Sequence, residues 1–174
     1  MASRSYTSRT EFEQYRFSAL VTVAVPFALI LFQAYVPKVL PRLAILDLPL
    51  IAVIFFAVGR RNPILGAVTG AAIGLMQDAL TGQPIGIQGL AKTVVGYVAS
   101  SIGLQVDVEN ITTRILMNFG FSMLQSGLLF LIEHYLLGEA TYRLLWLHAL
   151  YQALFNTIVA IPIFLLLDRT KRRD

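Results

Sequence analysis

Between Phe17 and Leu167 the chain is a succession of apolar runs, each close to the length of a bilayer-spanning helix, joined by connectors of only a few residues. In hydrocarbon every backbone N–H and C=O must be paired within the protein, so runs of this length fold as helices. A core about 30 Å thick takes about 20 apolar residues per helix, and with short connectors roughly 29 residues per crossing. The 174 residues therefore make about six crossings. Composition agrees where it matters: 14% charged residues, against about 25% in a soluble domain, leave too little polar surface to coat a globule in water. The sequence predicts an all-α integral membrane protein, a six-transmembrane-helix bundle over 17–167. It is flanked by a cytoplasmic N-terminal leader at 1–16 and a basic cytoplasmic tail at 168–174.

The expected spans are Phe17–Val36, carrying Pro26 and stopped by Pro37 and Pro41; Leu43–Val58, carrying Asp47; Pro63–Ala79; Ile85–Leu104; Ile115–Leu137; and Leu144–Leu167. The leader lacks the short apolar core of a cleavable signal, and its Phe12 and Tyr15, with Phe17, can dip into the headgroups. An even number of spans puts both termini on one side. That side then holds ten lysines and arginines in leader, loops and tail, against Lys38, Arg42 and Arg143 on the other, with Lys92 inside a span. The positive-inside rule makes the termini cytoplasmic. Tyr135, Tyr142, Trp146 and Tyr151 lie around the last outer turn, at headgroup level. The net charge of +4 comes from helix ends and forms no basic stripe, so it reads as membrane orientation and not as nucleic-acid binding. The absence of cysteine removes disulfides, thiolate metal sites and cysteine nucleophiles together.

Along the third span Gly66, Gly70 and Gly74 recur every four residues and share one face. Such a face lets another backbone come close, either a helix of the same bundle or the helix of a partner. The ionisable residues inside the spans are Asp47, Asp78 and Lys92, each costing about 2.5–3.5 kcal/mol at the bilayer centre. All three fall in the outer half, with Lys92 within depth of either carboxylate, and they read as an interhelical ion pair or as the lining of a polar notch. His134 and His148, with Glu133 and Glu139, follow no tight metal-ligand spacing. Ser126 and His148 sit at different depths, too far apart for a nucleophile and its base. The acidic connector Gln105–Asn110 precedes a helix that Asn110 or Thr112 can cap, or it meets a partner. Catalytic residues, cofactor and metal are accordingly assigned to no position.

The stretch from Gly74 to Leu90, with Asp78, Gly82, Pro84 and Gly86 in a pattern of Leu-x-x-Asp followed by a Gly-x-Pro-x-Gly turn, resembles the hallmark region of the bacterial MreD family of rod shape-determining proteins. Its specific part spans residues 63 to 97, and length, span number and basic tail agree over the rest of the chain. The resemblance implies a non-enzymatic scaffold of the cell-wall elongation machinery in the bacterial inner membrane. It implies binding to an MreC-like single-span protein, and proximity to MreB, RodA and its transpeptidase partner. The residues themselves explain the turn: Gly82 and Pro84 reverse the chain, Gly86 lets the fourth span start close to the third, and Asp78 can cap or receive a donor there. A second resemblance, in size, six-helix architecture and the Ala24-xxx-Ala28 spacing of the first span, is to the substrate-binding membrane subunits of energy-coupling-factor vitamin transporters. An ion or proton transporter would lean on Asp47, Asp78 and Lys92, but paired interrupted helices in matching halves are missing.

Overall fold

A computed structural model describes residues 15–137, 146–169 and 172–173. Six helices follow one another within them: α1 (Ala19–Val39), α2 (Leu48–Arg60), α3 (Pro63–Thr81), α4 (Ile87–Gly103), α5 (Ile111–Leu131) and α6 (Trp146–Asp168). A 3-10 turn at Pro41–Ile45 leads into α2, and a π-helical turn at Ile132–Leu136 prolongs α5. The backbone of Tyr15–Arg16 pairs antiparallel with that of Arg172–Arg173, which sets the two ends of the described chain side by side. This is the tail end of the bundle. The turns α1–α2 and α3–α4 and the end of the turn after α5 at Leu137 lie at the opposite, far end.

Five stretches are long and apolar enough to cross a membrane: Leu20–Val39, Pro41–Arg60, Pro63–Thr81, Ile111–Tyr135 and Trp146–Asp168. The sixth helix, α4, has 17 residues, about 26 Å at 1.5 Å each, the lower limit for a span. The protein is a multi-pass membrane bundle with α2 at its centre. Every residue from Leu48 to Gly59 is buried, and α2 packs against each of the other five helices. Around it α1, α3, α4, α5 and α6 are neighbours in that order, with no direct packing of α6 on α1 among the described residues. Near the tail end Phe17 stacks edge-on and tilted against Phe56 and Phe55, and Phe55 in turn meets Phe164 of α6.

Several boundaries differ from the sequence expectation, each for a local reason. Pro37 does not end α1: it forfeits the one N–H bond that Gln33 O would receive, yet the helix runs on to Val39, and Leu40 N donates to Val36 O at 2.8 Å. The second span breaks after its start: Leu46 is extended, and Asp47 is the N-cap of α2, accepting from Leu50 N at 3.1 Å, and not a residue within the helix. Asn110 caps α5 through Thr112 N, so that helix begins at Ile111 and includes Arg114, four residues ahead of the expected start. The fourth span begins at Ile87, two residues late, because Gly86 adopts a φ of 109°. The start of the last expected span at Leu144, with Phe12, Glu139, Tyr142 and Arg143, lies outside the described residues.

The tightest pair is α3 with α4. A Cβ added at Gly66 would strike Gly96 O and Ser100 Oγ, one at Gly70 would strike Lys92 O, and one at Gly74 would strike Gln88 O. The face marked by the three glycines is thus covered by α4 of the same chain, which leaves no room there for a partner's helix. Gly120 and Gly127 of α5 meet nothing within 4 Å. We therefore expect Gly70→Val, forced against backbone, to lower unfolding stability in detergent by about 3 kcal/mol. Gly120→Ala should leave the unfolding midpoint where it is or raise it slightly.

Candidate functional site

Because α2 begins below the far end, its first turn presents a carboxylate to the bundle interior. Asp47 is 4% exposed. Its Oδ1 is occupied by the capping bond, while Oδ2 accepts from Lys92 Nζ of α4 at 2.7 Å and from Gln125 Nε2 of α5. The Asp47 N–H donates to Asn156 Oδ1 of α6 at 2.9 Å, and Asn156 Nδ2 donates to Ser122 Oγ of α5 at 3.2 Å. Leu48 N donates to Gln33 Oε1 of α1 at 3.4 Å. Two residues at the head of α2 therefore hold α1, α4, α5 and α6. Lys92, fully buried, also donates to Gln88 Oε1 at 2.8 Å, which Gln125 Nε2 shares at 3.2 Å. A charge this deep persists only when paired and hydrogen-bonded.

Asp78 is also fully buried but has a different task. Its carboxylate accepts from the backbone N–H groups of Gly86, Gln88 and Gly89 at 2.8, 3.2 and 3.3 Å. Glycine at the N-cap of α4 has no side chain to close the helix, so α3 supplies the cap from across the hairpin. The negative charge also suits the positive end of the α4 dipole. Gly82 ends α3 at φ 70° and Gly86 starts α4 at φ 109°, left-handed positions that favour glycine. Pro84 lies between them, exposed, in the turn. Of the sequence-predicted residues, then, Asp47 and Lys92 meet directly, Asp78, Gly82, Pro84 and Gly86 build the hairpin, and Gly66, Gly70 and Gly74 line the seam.

The carboxamides of Gln33, Gln88, Gln125 and Asn156, and the hydroxyl of Ser122, were not singled out by the sequence. Each is an uncharged polar residue in a largely apolar helix, and the signal that finds them is shared depth with Asp47. At the tail end Arg114 makes a two-pronged pair with Asp168 at 2.6 and 3.2 Å, and its Nε donates to Val108 O at 2.8 Å, fastening the start of α5 to the end of α6. Ser126 hydrogen-bonds Gln152 Oε1 at 3.3 Å, and His148 is exposed at the head of α6. His134 stacks on Phe130 with ring centres 5.3 Å apart. Among the described residues no three His, Asp or Glu side chains converge on a point that could hold a metal.

The geometry makes Asp47 the ion-pair partner of Lys92. Lys92→Met should lower unfolding stability in detergent by about 3–5 kcal/mol. Adding Asp47→Asn should recover part of that loss, whereas adding Asp78→Asn should lower stability further. Recovery with Asp78→Asn alone would contradict the pairing.

The hairpin and its buried cap are the physical content of the pattern from Gly74 to Leu90. The family model described as rod shape-determining protein MreD matches residues 14–170. No curated protein and no solved structure matches the chain. The likeness to energy-coupling-factor subunits thus has no structural match behind it, and the vitamin-transporter reading is left without support. Matched over nearly its whole length, and built as the multi-pass bundle just described, the chain belongs to the MreD family of rod shape-determining membrane proteins.

Proposed function

We propose that this chain is a non-enzymatic scaffold of the cell-wall elongation machinery in the bacterial inner membrane, and that it binds an MreC-like single-span protein. In this reading it acts beside MreB, RodA and the transpeptidase that works with RodA. The observation that carries the reading is the family match across residues 14–170. Two features support it. The ionisable groups Asp47, Lys92 and Asp78, buried inside the expected spans, are all engaged in joining helices or capping them, as a scaffold requires. Large apolar side chains also stand exposed on the outer faces of α3 and α4, among them Ile64, Val68, Leu90 and Tyr97, where lipid or another helix must cover them. The connectors are short, so partners dock on such faces, on the hairpins or on the basic surface near the tails.

The charge asymmetry of the loops supports a reading with both tails in the cytoplasm. With no native cysteine, Ser3→Cys and Asp174→Cys each report one tail cleanly. Both should react with an impermeant maleimide only after the membrane is permeabilised; labelling of either one in intact spheroplasts would refute the orientation. For the partner, a photoreactive amino acid at Val68, Leu90 or Tyr97 should capture a single-span, MreC-like protein in native membranes. Crosslinks to lipid alone from all three sites would remove this face as the docking surface.

A further inference from the structure

Arg60, the last residue of α2, does not stretch outward to water as a cation at the end of a span ordinarily does. Its side chain follows the tilt of helical Cα–Cβ bonds back along α2, and its guanidinium carbon lies 5.9 Å from the centre of the Phe56 ring, one turn deeper in the bundle. There it enters the groove between α1 and α3: Nη1 donates to Thr69 Oγ1 at 3.1 Å and Nη2 to Thr22 Oγ1 at 2.8 Å. Both α1 and α3 start at the tail end, and at 1.5 Å per residue Thr22 and Thr69 stand about 5 Å and 9 Å inside those starts. Arg60, Thr22 and Thr69 are all partly exposed, beside the exposed apolar side chains of Leu20, Ile64 and Val68.

This arrangement fixes a cation without neutralising it. The two hydroxyls take two of the five guanidinium N–H groups and orient the planar fork, yet carry no charge themselves. The ion pairs among the described residues, Lys92 with Asp47 and Arg114 with Asp168, do not include Arg60. A fixed guanidinium at the edge of the hydrocarbon attracts an anion that parallel N–H bonds can hold, and carboxylate and phosphate have that geometry. Phosphate is the anion that the bilayer itself supplies at the helix ends, and it comes with acyl chains that cover apolar side chains such as Ile64 and Val68. Basic pockets between transmembrane helices hold anionic headgroups in this way.

We propose that the α1–α3 groove at the tail end binds an anionic phospholipid, with its phosphate on Arg60 and its acyl chains along the exposed apolar side chains of α1 and α3. The proposal concerns the purified chain and needs neither a docked partner nor a particular orientation, so failure of the crosslinking or labelling experiments leaves it standing. The test is thermal unfolding of the detergent-solubilised protein with phosphatidylglycerol, with phosphatidylcholine of the same acyl chains and with inorganic phosphate. Phosphatidylglycerol should raise Tm saturably by a few degrees, phosphatidylcholine by clearly less, and inorganic phosphate not at all. Arg60→Gln, which keeps a donor for the threonines without the charge, should abolish the preference for phosphatidylglycerol. Arg169→Gln, which removes the same charge from an exposed tail-end position, should leave it intact. Thr22→Val with Thr69→Val, which releases the guanidinium without removing it, should weaken the preference and carries the test should Arg60→Gln not fold. Glu11 and Glu13 lie outside the described residues, and Glu11→Gln with Glu13→Gln should leave the rise in place. A rise that appears only in that variant would make the leader the counter-charge and overturn the proposal. An equal rise with phosphatidylcholine or inorganic phosphate, an equal loss in Arg169→Gln, or full preference in both groove variants would overturn it as well. No rise with either lipid would do the same, and would leave the groove to a partner's carboxylate.

Discussion

The Asp47–Lys92 pair is the contact on which the rest of the bundle is registered. Apolar helices in lipid are free to slide, because one set of side-chain contacts is replaced by another of similar energy. Polar contacts are not interchangeable in this way: a slide of one turn, about 5.4 Å, breaks all of them. Here the bonds converge on the head of α2, the helix that touches every other one. They come from Gln33, Lys92, Gln125 and Asn156, on four different helices. One carboxylate and two neighbouring N–H groups thereby set the height of α1, α4, α5 and α6 relative to α2.

The remaining helix, α3, is positioned by a different device. The glycine face lets its backbone approach α4 more closely than any side chain would permit, and the Asp78 cap closes the hairpin at its far end. The two features depend on each other. Only with the backbones this close can a carboxylate on the last turn of α3 reach three N–H groups at the first turn of α4, and only with those groups satisfied can a glycine start a helix inside the protein. This explains in physical terms why aspartate, glycines and proline occur together between Gly74 and Gly86.

Much of this was legible in the amino-acid order. Hydropathy marks the runs, proline and glycine mark their ends, and the spacing of Gly66, Gly70 and Gly74 marks a face of close approach. The hairpin was readable because its parts are contiguous in sequence. The break before α2 was not, since Leu43–Leu46 is as apolar as a helix and only the capping geometry of Asp47 separates the 3-10 turn from the helix that follows. Depth alone left Lys92 between two carboxylates. What decided the choice is that the backbone amides of α4 engage Asp78, a long-range fact with no local signature. Gln125, Asn156 and the Arg114–Asp168 pair escaped notice for the same reason: each is a single polar residue whose meaning depends on partners tens of residues away.

The buried start of α2 also bears on how the chain comes to be in the membrane. Asp47 emerges from the ribosome before any of its side-chain partners on later helices: Lys92 follows by 45 residues, Gln125 by 78 and Asn156 by 109. At a synthesis rate of about 5–20 residues per second, the last of these lags by roughly 5–20 s. Until then the sheath around the central helix is incomplete, even after Lys92 has arrived to meet the carboxylate. The enclosure of α2 is thus a late event in synthesis, completed only when the carboxyl-terminal half of the chain is made.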